Sequence, residues 1–266
     1  MWPFLSTAAE LPSAVTDELI GARSGVAVRA WQPRDAVAYA VGINAGPQEG
    51  LPSTWATVLC QHGVEFPAAL GPWPAERVVH VEQSLRLVSP LTARGVLSVR
   101  TSVTDLHDRR SGVVVGISAE AVTGDGRLIA RTRMGLLLRG AYSGRPAAPH
   151  QATSPDPLGE VIHHRTLPDQ AERYARCGDD NPLHRDADGR PRLHGLCTYG
   201  FAGRALVSVL SPGEPQRLTG LSARFLAPVH AGDTLRTEVH RTPDGAAFRT
   251  RTHAGTVVAE GTATLG

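Results

Sequence analysis

Residues 174–204 read Y-A-R-C-G-D-D-N-P-L-H-R-D-A-D-G-R-P-R-L-H-G-L-C-T-Y-G-F-A-G-R. The stretch holds an acid, an imidazole and a glycine that could open a helix. Asp179 precedes His184 by five residues, with Asn181 and Pro182 between them. Pro182 would end a preceding helix, and Asn and Asp are strong turn formers. A turn here lets Asp179 and His184 fold toward one side. A carboxyl group and an imidazole within reach of one water or hydroxyl form a general acid–base pair. On its own the stretch is also compatible with a helix-terminating turn capped by Asn and Asp. Asp180 and Asp186 are expected to be solvated turn residues.

Ten residues after His184 come His194-Gly195-Leu196, at the head of the apolar run L-C-T-Y-G-F-A-G-R-A-L-V-S-V-L. Small residues spaced through that run let a helix lie close to a sheet. The N–H groups at its start lack helical partners, and the helix dipole adds positive potential there. Glycine at that point lets a carbonyl oxygen approach an N–H closely and lodge negative charge on it. The plainer alternative is a buried helix with His194 as a polar cap. His194, Leu196 and Arg204 are candidate substrate contacts. Arg204 could meet a phosphate, although a solvated or salt-bridged arginine suits the sequence equally well. His163 and His164 have no metal-ligand spacing and are expected at the surface. Asp108 and Asp125 fall in turns, and Gly112 and Gly126 suit hairpins.

The elements that must position these residues form a repeating pattern. A weak helical signal near Ala14–Ile20 is followed by a helix at Pro33–Ile43, with proline suited to its first turn. Residues 44–76 are rich in Gly and Pro, leaving room for one short helix. Strands are expected at Val78–Val88, Val96–Leu106, Gly112–Val122 and Leu128–Arg139, each alternating or β-branched and bounded by turn residues. Residues 140–158 look like a linker. The pattern then restarts: strand Glu160–Arg165, helix Pro168–Cys177, the motif stretch, and a helix at about Leu196–Leu210. Strands follow at Leu218–Leu226, Thr234–His240, Ala246–Thr252 and Val257–Thr264.

Residue identities recur as well. Ser84, Arg86, Pro90 and Leu97 return as Ser222, Arg224, Pro228 and Leu235, each 138 residues later. Ala36, Tyr39, Ala40 and Pro47 return as Ala171, Tyr174, Ala175 and Pro182, each 135 later. Two ordered offsets imply a duplicated unit. The 135 offset places Asn44 opposite Asp179 and Glu49 opposite His184, and the first copy shows no H-G-L followed by a long helix. The chemistry is therefore expected once, in the second copy. The expected divisions are 1–143 as the non-catalytic repeat, 144–158 as linker and 159–266 as the catalytic repeat. The class is α+β, and a double hotdog, with two repeats each wrapping a sheet around a helix, meets the description, as do other α+β folds on pattern alone.

Bulk properties narrow the rest. The 266 residues are 41% hydrophobic and 20% charged, an ordinary globular composition. All 27 basic residues are arginine, and a net charge of +2 gives no basic footprint for nucleic acid. Cys60, Cys177 and Cys197 form no C-x-x-C pair, which suits a reduced intracellular protein. No apolar run is long enough for a membrane span. The first ten residues lack signal-peptide character, and the final A-T-L-G is no peroxisomal signal, so a cytoplasmic protein is expected.

The stretch Y-A-x-x-[SC]-G-D-x-N-P-L-H followed by H-G-L-C-T-Y-G resembles the MaoC-like hydratase/dehydratase family, and within it the type-2 enoyl-CoA hydratases. Residues 34–43, 78–91 and 221–235 are similar to that family's flanking segments, so the resemblance covers most of the chain. It implies a double hotdog fold and reversible hydration of trans-2-enoyl thioesters to (3R)-3-hydroxyacyl thioesters, without a cofactor. It also implies that Asp179 and His184 are the catalytic dyad, that Asn181 orients it, and that the Gly195 N–H belongs to the oxyanion hole. The implied partner is an acyl-CoA or acyl-carrier-protein thioester, and homodimer formation stays open. Two departures stand out. Cys177 replaces the usual serine, and the segment from His184 to His194 is shorter than is usual in the family. A non-catalytic thioester-binding or assembly subunit, and a hotdog thioesterase, are the competing expectations.

Overall fold

The computed structural model describes residues 5–6, 15–61, 66, 68–71, 73–145, 159–178 and 189–266. Its main sheet has ten strands. We number them β1 (Arg23–Trp31), β2 (Val78–Leu87), β3 (Gly95–Arg109), β4 (Gly112–Val122), β5 (Leu128–Arg139), β6 (Glu160–Arg165), β7 (Leu218–Phe225), β8 (Thr234–Thr242), β9 (Gly245–Thr252) and β10 (Val257–Leu265). The helices are α1 (Pro33–Gly42), α2 (Trp55–Gln61), α3 (Gln170–Ala175) and α4 (Gly195–Leu210). The spatial order is β1-β3-β4-β5-β2-β7-β10-β9-β8-β6, antiparallel throughout.

That order is a palindrome of two five-stranded halves joined at β2 and β7. The repeat offset explains the joint. Ser84 and Ser222, equivalent under the 138 offset, sit directly opposite each other. On either side of them Glu82 faces Arg224 and Arg86 faces Gly220. Residue 82 plus 138 is 220, and 86 plus 138 is 224, so a half-turn about the serine pair carries each half onto the other. The joint also hides what would otherwise be two open sheet edges.

The helices obey the same symmetry. The Tyr39 ring of α1 meets the Tyr174 ring of α3 edge-on, with centroids 6.2 Å apart. A Cβ on Gly42 would stand 3.1 Å from the Tyr174 Cα and 3.2 Å from the Cys177 sulfur, so the approach needs a glycine. α4 is buried nearly all round, from Leu196 to Val209, which its apolar run with small residues allows. At Gly200 an added Cβ would lie 2.4 Å from Ile43 Cγ2, so the small residue sets how close α4 comes to α1. α2, whose seven described residues are all buried, takes the matching place against the N-terminal strands. The architecture is α+β, a double hotdog.

One apolar core, holding Tyr39, Trp55, Tyr174, Tyr199, Phe201 and Phe248, runs through both halves. A second cluster, with Val15, Leu70, Trp73, Val115 and Leu136, covers the other face of the N-terminal sheet. Val113, Val114 and Val115 are all fully buried in consequence, because both faces of β4 are covered.

The expected strands appear within a few residues of their sequence bounds. β1 does not figure among them. Val26 and Val28 are 52% and 69% exposed, so the edge strand points apolar side chains outward and lacks the usual in–out contrast. The weak helical signal near residues 14–20 is a single 3-10 turn at Asp17–Leu19 among the described residues. The expected helix at 168–177 contracts to Gln170–Ala175, flanked by turns. No helix among the described residues is long and apolar enough to cross a membrane.

Candidate active site

Asp179, Asn181 and His184 lie outside the described residues, in the segment 179–188. The frame on either side of that segment is described. On one side α3 ends in a turn through Cys177 and Gly178, the latter at φ +98°, a backbone angle that favours glycine. On the other side the chain is pinned before it enters α4. The Leu193 N–H donates to the Val229 carbonyl at 2.8 Å, the Ala231 N–H donates to the Pro191 carbonyl at 3.2 Å, and Arg192 bridges to His230. The loop after β7 therefore fixes where the helix starts.

His194 is the N-cap of α4 and is 3% exposed. Its backbone carbonyl accepts from the Cys197 and Thr198 N–H groups at 3.0 and 3.1 Å, the bonds that open the helix. Its ring lies 5.0 Å from the Tyr174 ring, so the end of α3 and the start of α4 stand side by side. Among the described residues no hydrogen bond reaches the N–H of Gly195 or Leu196. These two donors, at the positive end of a sixteen-residue helix, are suited to a developing negative charge.

Gly195 is crowded. An added Cβ would stand 3.2–3.5 Å from three carbons of the Phe225 ring. Phe225 in turn meets His80 of β2 edge-on at 5.2 Å, and the His80 Nε2 lies 2.9 Å from the Glu82 carbonyl. His80 belongs to the N-terminal half, so that half supplies part of the packing behind the helix start.

The remaining candidates are placed as follows. Leu196 is buried in the main core at 4% exposure. Arg204, nine residues beyond Gly195, is gripped by Glu49: Nε donates to Oε2 at 2.8 Å, Nη2 to Oε1 at 2.7 Å, and Nη1 donates to the Ile43 carbonyl at 3.0 Å. Of the alternatives open for Arg204, the structure therefore shows the salt-bridged one. Burial pushes the Glu49 carboxyl up, but the Arg204 hydrogen bonds and the Gly46 N–H outweigh it and hold it below its ordinary range. His164, expected at the surface, is only partly exposed. It packs against Phe201 at 5.9 Å, and burial together with Arg204 brings its pKa down to about 4. The strand pattern could not show this, because His163 and His164 alternate between the two faces of β6 and only one is covered.

Tyr174, Phe225 and His80 were not singled out from sequence. Tyr174 could have been found, since it recurs opposite Tyr39. Phe225 follows the repeated Arg224 but lies outside the matched identities. His80 carries no sequence signal.

The fold is a double hotdog, an architecture that hydratases and dehydratases of thioesters share with other proteins. Comparison with known proteins narrows that choice. The family described as MaoC like domain matches residues 149–263, and the MFE-2 hydratase 2 N-terminal domain matches residues 54–140. The 3-hydroxyacyl-thioester dehydratase Y of Mycobacterium tuberculosis is 37% identical over 89% of this chain and 91% of its own. The peroxisomal multifunctional enzyme type 2 of Drosophila melanogaster is 33% identical over 65% of this chain, which spans 31% of that longer protein. A MaoC-like dehydratase from Phytophthora capsici shares the fold, with a TM-score of 0.81 at 23% identity over 93% of this chain and 95% of its own. The chain belongs to the MaoC-like hydratase/dehydratase family and is a hydro-lyase.

Proposed function

We propose that the chain interconverts trans-2-enoyl and (3R)-3-hydroxyacyl thioesters, carried on coenzyme A or on an acyl carrier protein. The observation that carries this is the start of α4: Gly195 and Leu196 N–H groups with no partner among the described residues, preceded in the sequence by Asp179, Asn181 and His184. In hydration, water adds to the β-carbon and a proton to the α-carbon, and the thioester oxygen carries enolate charge on the way. The Gly195 N–H accepts that charge as a hydrogen-bond donor. One such donor contributes roughly 3–4 kcal/mol, and the general acid–base pair about 10²–10⁴ in rate. Asp179 and His184 activate the water and deliver the α-proton, and Asn181 orients them. Residues 159–266 form the catalytic repeat. Residues 1–143 form the non-catalytic repeat, joined to it by 144–158.

A thioesterase would instead send water to the carbonyl and release thiol. A binding subunit would turn nothing over. One experiment separates the three. Enoyl-thioester absorbance and thiol release are followed together on crotonyl-CoA, on a longer enoyl-CoA and on the corresponding carrier-protein thioesters. Loss of enoyl absorbance without thiol release supports the proposal. Thiol release from an intact enoyl group, or no turnover of any of these thioesters, overturns it.

A further inference from the structure

The half-turn that relates the two repeats also relates two sites. The catalytic one lies where the segment after α3 meets the start of α4. Its counterpart lies where the segment after α1, residues 43–54, meets the start of α2. At that counterpart the structure holds a cavity of about 530 Å³, within the range of small-molecule sites. One wall is the segment before α2, with Pro52 and Ser53. The other comes from the second half: Ile162 and His164 of β6, and Val207 and its neighbours on the later turns of α4. Pro212, Pro215 and Leu218 complete a chiefly apolar lining.

Three observations describe what would fit. First, the charged groups in the wall cancel. Glu49 and Arg204 form a two-pronged pair, and His164, with a pKa near 4, is neutral at neutral pH, so a charged ligand finds no spare counter-charge. Second, Ile162, Val207, Pro212, Pro215 and Leu218 all line the cavity with carbon, which suits an alkyl chain. Third, the acid–base pair is missing. Asn44 and Glu49 stand opposite Asp179 and His184 under the 135 offset, and Arg204 engages both Glu49 oxygens.

We propose that this cavity is a second binding site, which holds an uncharged acyl or alkyl chain against its apolar walls and does not turn it over. The choice of an acyl chain as natural occupant rests on the function proposed for the C-terminal site. The cavity and its preference for an uncharged alkyl ligand do not.

The test uses 1-decanol as the probe and the full chain. Calorimetric titration is run on the wild type, on Asp179→Asn and on Val207→Phe, which fills the cavity. Crotonyl-CoA hydration is measured on the wild type and on Val207→Phe. The expected result is one saturable site in the wild type and in Asp179→Asn. Binding should weaken at least ten-fold in Val207→Phe, with hydration within two-fold of wild type. No saturable decanol binding to the wild type overturns the proposal. So does Val207→Phe binding as the wild type does, or decanol competing with crotonyl-CoA equally in both proteins. Because Asp179→Asn reports binding without turnover, a failed hydratase assignment leaves this result readable.

Discussion

Glu49 of the N-terminal half and Arg204 of the central helix α4 form a two-pronged ion pair, with Nε–Oε2 at 2.8 Å and Nη2–Oε1 at 2.7 Å. Glu49 occupies the position that His184 occupies in the other repeat under the 135 offset. The residue aligned with the imidazole in one half thus braces the central helix of the other half. Arg204 also donates to the Ile43 carbonyl at the end of α1, so one guanidinium links α1, α4 and the segment between α1 and α2.

Lysine cannot reproduce that fork. Arg204→Lys is expected to cost about 1–3 kcal/mol, the scale of hydrogen bonds to charged groups, or roughly 2–10 °C in Tm for a chain of this size. Glu49→Gln should cost a similar amount. The double variant should cost less than the sum of the two, because the residues share one interaction. Thermal melts of the three proteins check this. Additive losses would show that the pair does not act as a unit.

Gly200 should tolerate no side chain. Its added Cβ would lie 2.4 Å from Ile43 Cγ2 and 2.9 Å from the Tyr39 hydroxyl, both fully buried. Gly200→Ala is expected to destabilise by about 1–3 kcal/mol through overpacking, despite alanine's better helix propensity. Chemical denaturation measures it. The double variant with Ile43→Ala, which removes the opposing Cγ2, should cost less than the sum of the two single changes.

His164 should resist protonation. Burial first, and Arg204 second, bring its pKa to about 4 from an ordinary 6.5. The folded state therefore binds fewer protons than the unfolded chain between about pH 6.5 and 4. Stability from this group is whole above that window and falls as pH drops through it. NMR titration of the ring protons should give a midpoint near 4, and His164→Gln should flatten the pH dependence of Tm between 4 and 6.5. A midpoint near 6.5 would contradict the burial described.

Gly195 should matter more to rate than to fold. The Phe225 ring stands at 3.2 Å from an added Cβ, close enough to need a small shift and far enough to allow one. Gly195→Ala is expected to keep most of its Tm and to lose at least ten-fold in turnover as the N–H moves, with part of the rate restored by Phe225→Leu. Equal turnover in Gly195→Ala and wild type would remove this N–H from the mechanism.

Much of this arrangement could be read in the sequence, for identifiable reasons. β3 and β9 alternate between a covered and a more open face, and β4, covered on both faces, shows instead as a β-branched run. The repeat showed itself through Ser84 and Ser222 because a residue beside the half-turn axis meets its own counterpart across the sheet. β1 escaped notice because Val26 and Val28 face outward on an edge. The Gly195 surroundings were half legible. The helix start follows from H-G-L before an apolar run, but Phe225 and His80 come from distant strands and no local pattern announces them. The partners of Arg204 were likewise not legible, since a guanidinium on a helix fits a phosphate or a carboxylate equally until the neighbouring half is in place.

The claim that one acid–base set, in the C-terminal half, carries the reaction is tested most directly by kcat/KM for crotonyl-CoA hydration in wild type, Asp179→Asn, His184→Ala and Asn44→Ala, with folding checked by thermal melts. Losses of about 10²–10⁴ in the Asp179 and His184 variants, with Asn44→Ala within a few-fold of wild type, are the predicted result. Hydration that persists unchanged without Asp179 and His184 would contradict it.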